Sequence, residues 1–155
     1  MIVHLLRHAD AENFVTTDAA RSLTPRGQGE AGSVANFLSR TRQQIDLILT
    51  SPYTRALQTA QAVASKIGMP LSEERRLSCG MSPQTGLALL QEHRRFENIL
   101  LVGHQPDLSI FAACLLTEDR SLEVEFGKAS LLSIEMIAFA LGKGTLKSYI
   151  PVEFT

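Results

Sequence analysis

Three short apolar tracts, each leading into a helix-start signal, constrain this chain more than any other feature. Ile2-Val3-His4-Leu5-Leu6, Ile45 to Thr50 and Asn98-Ile99-Leu100-Leu101-Val102 are too short for core helices, and each reads as a buried strand. After the first tract and a polar loop from Ala9 to Ser22 comes Thr24-Pro25, a good N-cap followed by a proline suited to the first helical position. Ser51-Pro52 repeats that start after the second tract, and a helix begins near Pro106 after the third. Apolar stripes recur at helical spacing behind each start: Ala31, Val34, Ala35 and Leu38; Ala56, Ala60, Val63 and Ile67; Leu108, Phe111, Ala112 and Leu115. Gly68 caps the second helix, and Pro70 stops it. Gly27 and Gly29 weaken the first helix, which points to close approach rather than helix strength. Pro83 to Phe96 reads as a further helix, with Leu87, Leu90 and Arg94 in its path, and Leu71 to Leu77 as a charged strand candidate. The tail offers three more strands, Leu122 to Phe126, Ala129 to Phe139 and Thr145 to Ile150, with Gly142-Lys143-Gly144 as a hairpin turn between the last two.

Strands alternating with helices imply an α/β fold. The expectation is a three-layer α/β/α sandwich around a mostly parallel sheet, with an antiparallel strand or hairpin near the C-terminus. The length of 155 residues suits one domain spanning 1–155. A chain of that size buries about 70% of its unfolded surface without needing a disulfide or metal. Hydrophobic residues at 45% and charged residues at 20% exclude disorder, and a net charge of −1 argues against nucleic acid as a partner. The most apolar tract, Leu131 to Leu141, is short and interrupted by Glu135, so no membrane span is expected. Cys79 and Cys114 form no metal or redox motif. They read as reduced, packing thiols of a cytoplasmic protein without a signal peptide.

In a parallel sheet, ligands bind outside the C-terminal strand ends. The first strand runs into Arg7-His8, the second into Ser51-Pro52 with Arg55 one turn on, and the third into Gly103-His104. Each has a plain structural explanation alone, but together they place two arginines and two histidines on one edge. Arginine pairs bidentately with phosphate oxygens, and a helix N-terminus adds unpaired N–H groups. Neighbouring cations would push a histidine below its usual pKa of about 6.5 and leave a neutral, nucleophilic imidazole. Such a ring can attack phosphorus in line and form a phosphohistidine, while a second, protonated histidine stabilises the transferring group.

These residues resemble the histidine phosphatase, or phosphoglycerate mutase-like, superfamily along nearly the whole chain. Leu5-Leu6-Arg7-His8 is similar to its Arg-His-Gly signature, Ser51-Pro52-Tyr53-Thr54-Arg55-Ala56-Leu57-Gln58-Thr59 to its Ser-Pro-x-x-Arg-Ala-x-Gln-Thr signature, and Val102-Gly103-His104 to its third. Arg21-Ser22-Leu23-Thr24-Pro25-Arg26-Gly27 resembles a stretch of the short SixA-type phosphohistidine phosphatase branch. The resemblance implies a phosphatase in which His8 is the nucleophile, Arg7 and Arg55 clamp the phosphoryl oxygens, His104 stabilises the transferring group and Arg21 lies near the substrate. It implies no cofactor and no metal.

The segment from Gly68 to Pro83 leaves little room for the lid of sugar-phosphate phosphatases, so an open pocket taking phosphohistidine on a protein is expected. A small phosphate ester is the alternative substrate, and a non-catalytic phosphate-binding module the alternative role. A monomer suffices. Two departures stand out. Ala9 replaces the usual glycine, so the turn after His8 must avoid positive φ. From Arg75 through Gln91 there is no carboxylate to serve as general acid. An alkoxide leaving group needs such an acid, whereas protonated imidazole needs it less, which favours phosphohistidine. Asp10 or Glu12, close after His8, are the substitutes at hand. A metal site built from His4, His8, His93 and His104 is disfavoured by the arginines beside the motif histidines.

Overall fold

Alternating burial along the first strand sets up two cores. In β1 (Ile2–Arg7), Val3 and Leu5 join one apolar cluster and Leu6 the other, as the two-residue period of a strand requires. The computed structural model describes residues 1–13, 16–118 and 121–155. Residues 14 and 15 of the polar loop lie outside them. Within that loop is a 3₁₀ turn, Asp18–Ala20, and Ala11 pairs with Leu23 in an isolated bridge.

The remaining elements are α1 (Pro25–Arg40), β2 (Leu47–Thr50), α2 (Thr54–Ile67), β3 (Leu71–Glu73), α3 (Pro83–Glu92), β4 (Asn98–Gly103), α4 (Asp107–Thr117), β5 (Leu131–Met136) and β6 (Gly144–Ile150). They form one six-stranded sheet in the order β3-β2-β4-β1-β5-β6. The first four strands in chain order run parallel, β5 runs antiparallel to β1, and β6 antiparallel to β5. On one face, α1 and α2 pack Val34, Leu38, Ala60 and Val63 against Leu6, Ile48, Leu100 and Val102. On the other, α3 and α4 pack Leu89, Leu90, Phe111 and Leu115 against Val3, Leu5, Ile99 and Leu101. The fold is therefore the expected α/β/α arrangement, mostly parallel with antiparallel C-terminal strands.

The local signals mostly hold. The Thr24 hydroxyl accepts from the Gly27 amide at 3.0 Å, and Pro25 starts α1. Ser82 caps α3 in the same way, and Gly68 closes α2 in the left-handed region at φ 72°.

Other elements differ from the sequence reading. Ser51 does not cap α2, which begins two residues after Pro52 with Tyr53 at the N-cap. The Ser51 hydroxyl instead accepts from the Tyr53 amide at 3.2 Å and faces His104. Leu122 to Phe126 is not a strand. Its carbonyls are taken by side chains: Ser109 donates to Val124, and both Arg7 and Gln105 donate to Phe126. The candidate strand at Leu71 stops at Glu73, because Glu74 caps a 3₁₀ turn through the Arg76 amide. The helix from Pro83 ends at Glu92, leaving Arg94 outside it. Of the Ala129 to Phe139 tract only Leu131–Met136 is strand, so the connection to β6 is longer than the Gly142-Lys143-Gly144 turn, and the Gly142 amide ties it to the Cys114 carbonyl near the end of α4.

Gly27 and Gly29 separate cleanly. A Cβ on Gly27 would lie 1.9 Å from the Asp10 carbonyl oxygen, whereas one on Gly29 would meet nothing within 4 Å. Gly27→Ala is expected to lower stability by about 1–3 kcal/mol through this overlap. Gly29→Ala should raise it by about 0.4–1 kcal/mol by stiffening the unfolded chain. Urea unfolding of the two variants checks this, and equal effects would contradict the close-approach role of Gly27.

Candidate active site

Strand register gathers the signature residues. Arg7 of β1 pairs with Gly103 of β4, and Thr50 of β2 pairs with Val102. The pattern runs one residue further, with the His8 amide donating to the Gly103 carbonyl at 3.1 Å and the Ser51 amide to Val102 at 3.0 Å. His8, Ser51 and His104 thus leave the sheet at one level, and the two imidazole centroids lie 5.2 Å apart. Arg55, on the first turn of α2, reaches the same point. Ala9 avoids the positive-φ region, and its amide donates to Thr59, so the alanine in place of glycine is accommodated.

The hydrogen bonds at His8 fix its tautomer. Arg55 Nε lies 3.1 Å from His8 Nε2, and a guanidinium only donates, so Nε2 presents its lone pair. The proton therefore sits on Nδ1, which donates to the Ala9 carbonyl at 2.8 Å. Burial is the largest influence on this ring and lowers its pKa to about 4, with the charges of Arg55, Arg7 and Arg21 adding to the shift. The direction agrees with the sequence reading, but burial outranks the neighbouring cations. His104 is lowered further, to about 3, by burial first and then by His8 and Arg55. Both rings are neutral in the free site. His104 Nε2 lies 2.8 Å from Ser51 Oγ, and its Nδ1 is buried without a partner among the described residues.

The arginines are tied differently. Arg7 donates from Nη1 to the Phe126 carbonyl at 2.7 Å, while its buried Nε has no partner among the described residues. Arg55 is almost fully buried and gives Nη1 to the Asp18 carbonyl at 2.6 Å and Nη2 to the Asp18 carboxylate at 2.9 Å. Arg21 donates to the other carboxylate oxygen of Asp18 at 2.9 Å and to the Glu12 carbonyl. Asp18 therefore bridges two guanidinium groups, which hold its carboxyl below the usual range.

Sequence reasoning missed Asp18. The available signal was its position three residues before Arg21, an ion-pairing distance on a turn. Asp10 and Glu12, the candidate acids of the sequence, stand elsewhere. Asp10 accepts from Thr24 Oγ1 at 2.6 Å and from Lys128, and so anchors the start of α1; the Glu12 side chain is exposed. Cys114 is buried as expected, but Cys79 is exposed and lies 3.7 Å from Arg55 Nη2. His4 pairs with Ser133 and His93 with the Leu89 carbonyl, each apart from the site. Among the described residues, no three His, Cys, Asp or Glu side chains cluster as a metal site, and no helix is long and apolar enough to cross a membrane.

Comparison with known proteins agrees with this geometry. A family model of the histidine phosphatase superfamily (branch 1) matches residues 3–78. The chain is 32% identical over 110 residues to phosphohistidine phosphatase SixA of Escherichia coli K12, covering 68% of each chain. It is 30% identical over 143 residues to an uncharacterized Picosynechococcus protein, covering 86% of this chain and 84% of the relative. A solved structure of the protein histidine phosphatase SixA complexed with tungstate superposes with a TM-score of 0.89 at 25% identity, covering 98% of this chain and 97% of that one. The chain belongs to the histidine phosphatase superfamily, in its SixA-type branch.

It is accordingly a phosphatase. Between α2 and α3 this histidine phosphatase carries only the three-residue β3 and a three-residue 3₁₀ turn, with no inserted helix to cover the strand ends.

Burial of the imidazoles carries a pH prediction. Burial lowers the pKa of His4, His8 and His104 to about 4, 4 and 3, below the ordinary imidazole value of 6.5. As pH falls below about 6.5, the unfolded chain takes up protons that the folded chain refuses, so stability is lost from there downward. Nitrogen NMR of the imidazoles at pH 5.5 should show His8 and His104 neutral. Protonated rings at that pH would contradict the assignment.

Proposed function

We propose that this histidine phosphatase removes the phosphoryl group from phosphohistidine on a protein, through a covalent intermediate on His8. The observation that carries the reading is the state of the His8 ring: neutral, with Nδ1–H given to the Ala9 carbonyl and the Nε2 lone pair turned toward a buried arginine. In the first step that lone pair forms a bond to phosphorus. The phosphorus–nitrogen bond of the substrate breaks, and its electron pair leaves with a substrate imidazole that arrives protonated. In the second step water attacks the phosphoryl group on His8, and inorganic phosphate leaves as the Nε2 lone pair returns. Arg7 and Arg55 hold the equatorial oxygens, with Arg21 beside them, as charge-assisted forks that match the phosphoryl geometry. Burial keeps His104 neutral. A bound dianion beside it favours its protonated form, so it stabilises the transferring group when substrate is present.

The leaving group decides the substrate class. Among the described residues, Asp18 is the carboxylate bonded to the site arginines, and those two arginines keep it ionised and without a proton to donate. An alkoxide leaving group goes unassisted under those conditions, whereas a protonated imidazole leaves well by itself. The short connection between α2 and α3 places no inserted helix over the strand ends, which suits a side chain on another protein. The similar SixA structure holds tungstate, a tetrahedral oxyanion of the class this pocket suits. Every residue invoked belongs to one chain, so a monomer is sufficient.

Turnover of a phosphohistidine peptide should exceed that of a phosphoserine peptide and of sugar phosphates. His8→Ala should lower it by at least about 10³-fold, as expected for loss of a nucleophile. Phosphate-release assays check both. Faster turnover of sugar phosphates would overturn the substrate assignment. No turnover of any substrate by the unaltered protein would point instead to a phosphate-binding module.

A further inference from the structure

The arrangement around Asp18 goes beyond these roles. Its carboxylate bridges Arg55 Nη2 and Arg21 Nη1, each at 2.9 Å, as a phosphoryl group would bridge them. Its own carbonyl takes the remaining Arg55 nitrogen, Nη1, at 2.6 Å. With Nε spent on His8, every nitrogen of the Arg55 guanidinium is engaged. The contact with His8 also covers the lone pair that must reach phosphorus. The resting site is thus a chain of three groups, carboxylate to guanidinium to imidazole, in which the clamp holds an internal anion and the nucleophile is capped. Asp18 lies on a 3₁₀ turn with no buried residues, and its side chain is 55% exposed, so little packing opposes its departure.

We propose that Asp18 is a resident competing anion of the phosphoryl clamp, and thereby a residue that determines which anions the site accepts. A ligand must form better contacts with Arg55 and Arg21 than this carboxylate does before it can enter. Weak monoanions fail at that threshold. A phosphoryl dianion, with more charge and three oxygens, passes it. Its arrival draws Arg55 away from His8 Nε2, so the lone pair is bared when phosphorus is in place. Exchange of the carboxylate for the ligand involves no covalent step. This inference rests on the proposed roles of His8 and Arg55 in phosphoryl transfer.

The test is calorimetric titration with inorganic phosphate at pH 8, using the unaltered protein, Asp18→Asn and Asp18→Ala. Removing the internal competitor should tighten phosphate binding by about tenfold or more, the scale of one charge-assisted contact. The KM for a phosphohistidine peptide should fall in parallel, with stronger inhibition by product phosphate. A merely structural role for Asp18 would weaken binding in both variants. Tighter binding in either variant, together with a lower KM, supports the proposal. The proposal is overturned if neither tightens, or if kcat falls while KM is unchanged, which would mean that Asp18 serves to hold Arg55 for the transition state. Failure of the unaltered protein to hydrolyse or bind phosphate at all would instead overturn the phosphatase mechanism on which the inference depends.

Discussion

The parallel pairing of β1, β4 and β2 is the constraint on which the rest depends. Their ladders end at matching levels, and the His8 and Ser51 amides extend them by one bond each. Three segments far apart in the chain are thereby held at one edge by backbone hydrogen bonds, independently of their side chains. A slip of one residue in any of the strands would turn its terminal residue to the opposite face of the sheet. The core prevents that slip. Val3 and Leu5 belong to one apolar cluster and Leu6 to the other, so a shifted register would exchange two separately packed faces. Packing and site geometry are in this sense the same interaction seen at two ends of a strand.

Electrostatics then sets the chemical state of what the strands deliver. Burial strips the imidazoles of solvent and keeps them neutral, and the Ala9 carbonyl selects which nitrogen carries the proton. The guanidinium of Arg55 resists neutralisation, so burying it requires a counter-charge. Asp18 supplies that charge, and in the proposed reaction a phosphoryl group takes its place. Arg7 shows the complementary state: one nitrogen is anchored to the Phe126 carbonyl, and a buried Nε has no partner among the described residues. The segment before β5 therefore holds the site together with its carbonyls rather than by joining the sheet.

Much of this was legible in the sequence because the signals were local. Apolar runs of strand length, the Thr24-Pro25 start and the Gly68 stop each reflect the backbone chemistry of a few residues, and the structure forms β1, α1 and the end of α2 accordingly. The ordered signatures placed His8, Arg55 and His104 at strand ends, where the structure brings them together. What failed depended on partners distant in the chain. Ser51 resembles a helix cap until His104 is known to face its hydroxyl. Leu122 to Phe126 has the composition of a strand, yet its carbonyls are engaged by Ser109, Gln105 and Arg7. Asp18 lies on a short turn without periodicity, and only the fold brings it to Arg55. Cys79 likewise gains its neighbour from tertiary structure, not from spacing.

In the proposed mechanism His8 Nε2 is the atom that receives the phosphoryl group. Rapid quenching of turnover under alkaline conditions, followed by phosphorus–nitrogen correlation NMR on the isolated phosphopeptide, reads that atom directly. The expected product is a phosphoryl group bonded to Nε2 of His8, with Nδ1 still carrying its hydrogen toward Ala9. A phosphoryl group on Nδ1, on His104, or on no residue during active turnover would contradict it.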